Sequence, residues 1–103
     1  MDTKTIINAL AALAHESRLG IFRLLVQTGP KGMAATKISE ALGIPASSLS
    51  FHLKELSHAG LISPCQEGRY IIYSANFEAM SQVVHYLTEN CCGGASCSPE
   101  SLC

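Results

Sequence analysis

At 103 residues, with 48% apolar and 15% charged side chains, the chain has the size and apolar content of one globular domain, which excludes an intrinsically disordered protein. No apolar run reaches the roughly 18 residues of a membrane helix, and Asp2 stands where a secretory signal is basic. A cytoplasmic protein without a membrane partner is therefore expected. A net charge of −1 counts mildly against nucleic-acid binding, unless cations such as Lys31, Lys37, Lys54 and Arg69 gather on one face.

Ile6, Ile7, Leu10 and Leu13 recur at helical spacing and predict a first helix near residues 3–14. A second follows through Arg18–Val26, apolar on several sides and broken by Gly29, Pro30 and Gly32. A short third helix, about Ala34–Leu42, ends at Gly43. Pro45 suits the first turn of a fourth, with Leu49, Leu53 and Leu56 on its apolar face and Gly60 at its end. Two helices joined by a short Gly-containing turn form the helix-turn-helix pattern.

Leu61–Cys65 and Tyr70–Ser74 then read as β-prone runs, joined by Gln66-Glu67-Gly68-Arg69 into a hairpin. Cys65 is expected to pack as a small apolar residue. A last helix, Asn76–Cys92, carries Phe77, Met80, Val83, Val84 and Leu87 on one side and stops at Gly93-Gly94. Four helices, two strands and a fifth helix make a mainly α protein with a β-hairpin wing, a winged helix-turn-helix. Residues 1–92 are expected to form this DNA-binding and dimerisation domain, and 93–103 a flexible tail.

Ser47, Ser48, Ser50, His52 and Lys54 lie opposite the leucines of the fourth helix. Small hydroxyls near a helix start bond phosphates and base edges without blocking entry to the major groove, although they also serve simply as caps. Arg69, at the hairpin tip, is placed to reach a narrow minor groove.

The run LAHESRLGIFRLL, followed by ISEALGIPASSLSFHLKELSHAGLI and EGRYIIYS, resembles the ArsR/SmtB family of bacterial metal-sensing transcriptional repressors over roughly residues 6–90. The resemblance implies a homodimer formed through the first and last helices. It implies a two-fold-symmetric operator, held in the ligand-free state and released when an inducer binds. It also implies recognition-helix roles for Ser47, Ser48, Ser50, His52 and Lys54, and a wing role for Arg69.

Two sensing sites of the family lack their ligands here. The C-x-C arsenic site at the start of the third helix aligns with Ala34 and Thr36, which bind no metal. The zinc site of the last helix finds Ser74, Asn76 and Glu78 at one end and only His85 and Glu89 at the other, too few for a tetrahedral centre. His15 and His58 have no evident partners in the sequence.

The tail carries the remaining chemistry. Cys91, Cys92, Cys97 and Cys103 are four of the five cysteines, in the run CCGGASCSPESLC. Thiolates select soft ions, and trivalent arsenic and antimony form pyramidal centres on up to three sulfurs. Neighbouring cysteines diverge by about 100° on an ideal helix, a constraint that relaxes at a fraying end. Gly93-Gly94 let the chain fold back towards Cys97, so Cys91, Cys92 and Cys97 are the expected trio and Cys103 a substitute or fourth ligand. The expected inducer is arsenite or a related trivalent arsenical or antimonite, with no organic cofactor. Four-thiolate binding of another soft metal, a disulfide redox switch and an idle extension are the competing readings. No C-x-x-C motif or nucleophile–base arrangement suggests an enzyme.

Overall fold

The computed structural model describes residues 1–94. Helix α1 (Thr3–Leu13) begins where the Asp2 carboxylate accepts from the Thr5 N–H at 2.9 Å, and the Thr5 bonds hold that carboxyl below its ordinary pKa. It buries Ile6, Ala9 and Ala12, while Ile7 and Leu10 face outwards. Helix α2 (Glu16–Thr28) sends Ile21, Phe22 and Leu25 into the core and stops at Gly29.

The helix-turn-helix consists of α3 (Ala35–Leu42) and α4 (Ala46–His58). Gly43 adopts the left-handed conformation that ends α3, and its N–H reaches the Ser39 carbonyl at 2.9 Å. Pro45 stands one residue earlier than expected, as the N-cap rather than inside the first turn. On α4, Leu49, His52, Leu53 and Leu56 are buried at offsets of three, four and seven residues, the stripe a 3.6-residue helix turns to its core. Leu56 and Leu61 pack in one cluster with Ile21, Leu25 and Ile38.

The sheet has three strands where a two-stranded hairpin was expected. Strand β1 (Met33–Ala34) pairs antiparallel with β3 (Tyr70–Ala75), whose other edge pairs with β2 (Ile62–Glu67). Gly32 makes this third strand feasible. It sits at φ +71°, and a Cβ there would meet the Tyr73 carbonyl oxygen at 2.6 Å. The β2–β3 loop is only Gly68-Arg69, because the ladder extends to the Glu67–Tyr70 pair. Cys65 is exposed on β2, contrary to the expectation that it packs inside.

Helix α5 spans Phe77–Thr88 and ends four residues earlier than its apolar pattern suggested. Beyond Tyr86 no core-facing residue remains among the described residues to hold the helix against the body. Glu89 is extended, Asn90 is left-handed at φ 57°, and Cys91–Gly94 form a separate 3-10 turn. The Thr3 hydroxyl and the Tyr86 phenol lie 2.5 Å apart, tying α5 to the start of α1. Side by side, these two helices expose Ile7, Leu10, Val84 and Leu87. No helix is long and apolar enough to cross a membrane among the described residues.

Candidate nucleic-acid interface and thiol pair

Opposite the buried stripe of α4, Ser47, Ser50, Phe51 and Lys54 are exposed and fall within about 100° of arc around the helix axis. Ser48 is also exposed, at the edge of this arc. The Ser50 hydroxyl donates to the Ala46 carbonyl at 3.1 Å, which leaves its lone pairs outward as acceptors. Neither α3 nor α4 has a side-chain N-cap, whereas Asp2, His15 and Asn76 cap α1, α2 and α5. The first-turn N–H groups of the helix-turn-helix are thus left for water or a ligand.

The wing completes a concave surface. Thr36, Ser50, Leu53, Arg69 and Tyr70 line a hollow of about 340 Å³ between the start of α3, α4 and the hairpin. Gly68 takes φ 62° as the first of the two loop residues, a turn that follows the twist of its strands and leaves Arg69 exposed. Lys37 pairs with Glu40 at 3.6 Å, but both side chains are 70% exposed, so the pair gives way readily to a stronger anion.

His52 does not belong to this outer face. Alternate residues on a helix lie about 200° apart, so a pattern of every second residue (48, 50, 52, 54) cannot share one side. His52 is 8% exposed and turned inward. The Arg18 guanidinium, which can only donate, reaches its Nδ1 at a long 3.4 Å, so that nitrogen accepts and the ring proton sits on Nε2. The same Arg18 donates through Nε to the Ala12 carbonyl at the end of α1, at 2.7 Å. His15 stacks at a tilt on His52, ring centroids 4.7 Å apart, while its own Nδ1 accepts from the Ser17 N–H. Phe51 and Arg18 were both missed in the sequence. Strict 3.6-residue counting places Phe51 outside, but nothing local marks Arg18 as a tie between helices.

Burial pushes the His52 pKa below its ordinary value, and the positive fields of His15 and Arg18 add to this. A histidine depressed in the folded state stabilises fully above its unfolded pKa, near 6.5. It loses that stability as pH falls towards the folded value. The urea midpoint should therefore drop between pH 7.5 and 5.5. The drop should be smaller in His52→Gln, which lacks the buried imidazole. An equal drop in both would mean that burial of His52 is not coupled to stability.

At the far end of the molecule, the Cys91 and Cys92 sulfurs lie 3.7 Å apart. A regular helix would swing these neighbours apart. The left-handed backbone at Cys92, φ 56° and ψ 31°, turns them together instead. Cys92 is disulfide-bonded in this structure; once it is reduced, two thiolate bonds of about 2.3 Å each readily close this gap, so the reduced pair fits one soft ion. No group of three metal-binding side chains gathers among the described residues, and Cys97 and Cys103 lie outside them.

Ala34 and Thr36 are, respectively, the last residue of β1 and an exposed first-turn residue of α3. Asn76, at the zinc-site position, accepts from the Ala79 N–H and donates to the Gly60 carbonyl. Its polar groups are thus engaged in capping α5. His85 and Glu89 line a shallow hollow of about 340 Å³ with Met1, Ser81, Gln82 and Tyr86.

Residues 13–65 match a helix-turn-helix domain family. The chain is 31% identical over 83 residues to the HTH-type transcriptional regulator YgaV of Escherichia coli K12, covering 81% of this chain and 82% of that one. A similar solved structure is a homodimeric winged helix-turn-helix DNA-binding domain from Mycobacterium bovis, a possible ArsR-family transcriptional regulator. It has 29% identity and a TM-score of 0.65, and the match covers 82% of this chain and 83% of that one. An ArsR-like transcriptional regulator from Rhodococcus sp. RHA1 superposes with a TM-score of 0.76 at 23% identity, covering 88% and 83%, which supports the fold.

Proposed function

The chain belongs to the ArsR/SmtB family of winged helix-turn-helix transcriptional regulators, DNA-binding proteins rather than enzymes, and from that premise we propose that it is an arsenic(III)- or antimony(III)-responsive repressor. The ligand-free homodimer holds a palindromic operator in the cytoplasm. It lets go when, in the reduced protein, a metalloid binds the thiols of Cys91, Cys92 and Cys97, with Cys103 in reserve. Residues 1–92 supply the DNA-binding and dimerising body, and 93–103 the thiol-bearing tail.

The observation that carries this reading is the pair of sulfurs 3.7 Å apart just beyond α5. The same helix exposes Val84 and Leu87, and α1, which it touches, exposes Ile7 and Leu10, apolar surface suited to a second copy. A ligand at the end of α5 therefore acts next to the contact that sets the separation of the two α4 helices. Those helices need to lie about 34 Å apart to enter successive major grooves. Ser47, Ser48, Ser50 and Lys54 on α4 and Arg69 on the wing make the DNA contacts. His52 supports α4 from behind.

In a mobility-shift titration under reducing conditions, arsenite should release the wild-type protein from its operator, whereas zinc should not. By linkage, operator DNA should weaken arsenite binding by the same factor. Cys97→Ser should impair the response to inorganic arsenite more than to a methylated arsenite, which has only two exchangeable positions. Retention on DNA at every arsenite concentration would sink the reading. A thiol redox switch is the second reading, favoured by one observation: Cys92 is disulfide-bonded. It predicts release by peroxide or polysulfide and none by arsenite.

A further inference from the structure

The outer arc of α4 carries one large apolar side chain. Phe51 is 56% exposed, flanked by the short Ser47 and Ser50 and by Lys54. Its ring meets His52 edge-on at 5.8 Å, on the side facing the body of the domain. The two serines are too small to cover it. Phe51 therefore stands proud of the surface near the middle of the helix, on the face that also bears Lys54 and next to the hollow that holds Arg69.

We propose that Phe51 is a specificity-determining residue, its ring set against the C5-methyl group of a thymine in each half of the operator. This rests on the operator-binding reading above and adds the base that is read. A phenyl ring has no donor or acceptor, so it cannot read the N7, O6 or exocyclic amino groups exposed in the major groove. Laid against any of these, it strips water from a polar edge and returns no hydrogen bond. The thymine methyl is the one apolar feature of that groove, and apolar side chains meet it there. Ser47, Lys54 and Arg69 have the chemistry for phosphates and polar edges. Phe51 has the chemistry for a methyl group alone.

The test separates the methyl group from everything else in the base. A duplex selected from random DNA by the wild-type protein is resynthesised with deoxyuridine replacing each symmetry-related pair of thymines in turn, which preserves pairing. Wild type should lose roughly tenfold in affinity at one such pair, the size expected for two lost methyl contacts. Phe51→Ala should bind the thymine duplex more weakly and bind both duplexes equally, with an unchanged melting temperature because the residue is exposed. Phe51→Leu, still apolar, should keep part of the preference. Wild type indifferent to every replacement overturns the proposal and leaves operator binding standing. So does a Phe51→Ala protein that still discriminates at the same pair. Failure of the wild type to select any duplex overturns the repressor reading and this inference with it.

Discussion

Cys91→Ser and Cys92→Ser, each alone, should raise the arsenite concentration needed for operator release by at least about a hundredfold, without changing affinity for DNA in its absence. The two sulfurs are 3.7 Å apart, so once the first has bound, the second closes an intramolecular ring. The gain from such closure is set by an effective concentration, which reaches the millimolar range even for short flexible linkers and is larger for groups already in place. A serine hydroxyl is a hard oxygen and a poor substitute for a thiolate. Both cysteines are exposed beyond the end of α5, so with the Cys92 disulfide reduced neither change should move the melting temperature. Cys65→Ser is the control. Cys65 sits on β2 in the wing and should respond like wild type. If either tail variant releases DNA at the wild-type concentration, its sulfur is not part of the sensor.

Leu56→Ala should cost about 3 kcal/mol of folding stability and lower the melting temperature by roughly 12–20 °C at fixed protein concentration. Leu56 is 0% exposed and lies on the inner stripe of α4, in one cluster with Ile21, Leu25, Ile38 and Leu61. Truncation leaves a cavity that α2, α3 and the Leu61 segment would have to shift together to fill. The loss is a large part of the 5–15 kcal/mol that separates a folded domain from its unfolded chain. Ser50→Ala, one turn and a half away on the outer face, should leave stability unchanged. Chemical denaturation of the two proteins side by side checks both. A loss below 1 kcal/mol for Leu56→Ala would show a core loose enough to collapse around the gap.

The helical body was legible wherever periodicity and punctuation agreed. Leu49, Leu53 and Leu56 place the inner face of α4, and Gly43 marks the end of α3. Where the sequence misled, a specific physical reason can be named. Strand β1 is two residues long, too short to show alternation, and depends on Gly32 lying against the Tyr73 carbonyl. His52 is polar and reads as an outer residue opposite the leucines, although it lies three residues after Leu49 and four before Leu56, on their buried stripe. The end of α5 was misjudged because Gly93-Gly94 looked like a stop, while the chain leaves the helix at Glu89 and turns at Asn90. The bend at Cys92, which brings the sulfurs together, has no signature in the residue types at all.

Arg18 has a mechanical consequence. One side chain holds both the last turn of α1, through the Ala12 carbonyl, and the inner side of α4, through His52. Arg18 itself belongs to α2, whose Ile21 and Leu25 are both 0% exposed in the core. The helix offered to a second copy and the helix offered to DNA therefore move as one block. On the repressor reading proposed above, bending α4 inside a single subunit would break this tie, so the proposed inducer is expected to swing whole subunits about their shared contact, a quaternary rotation.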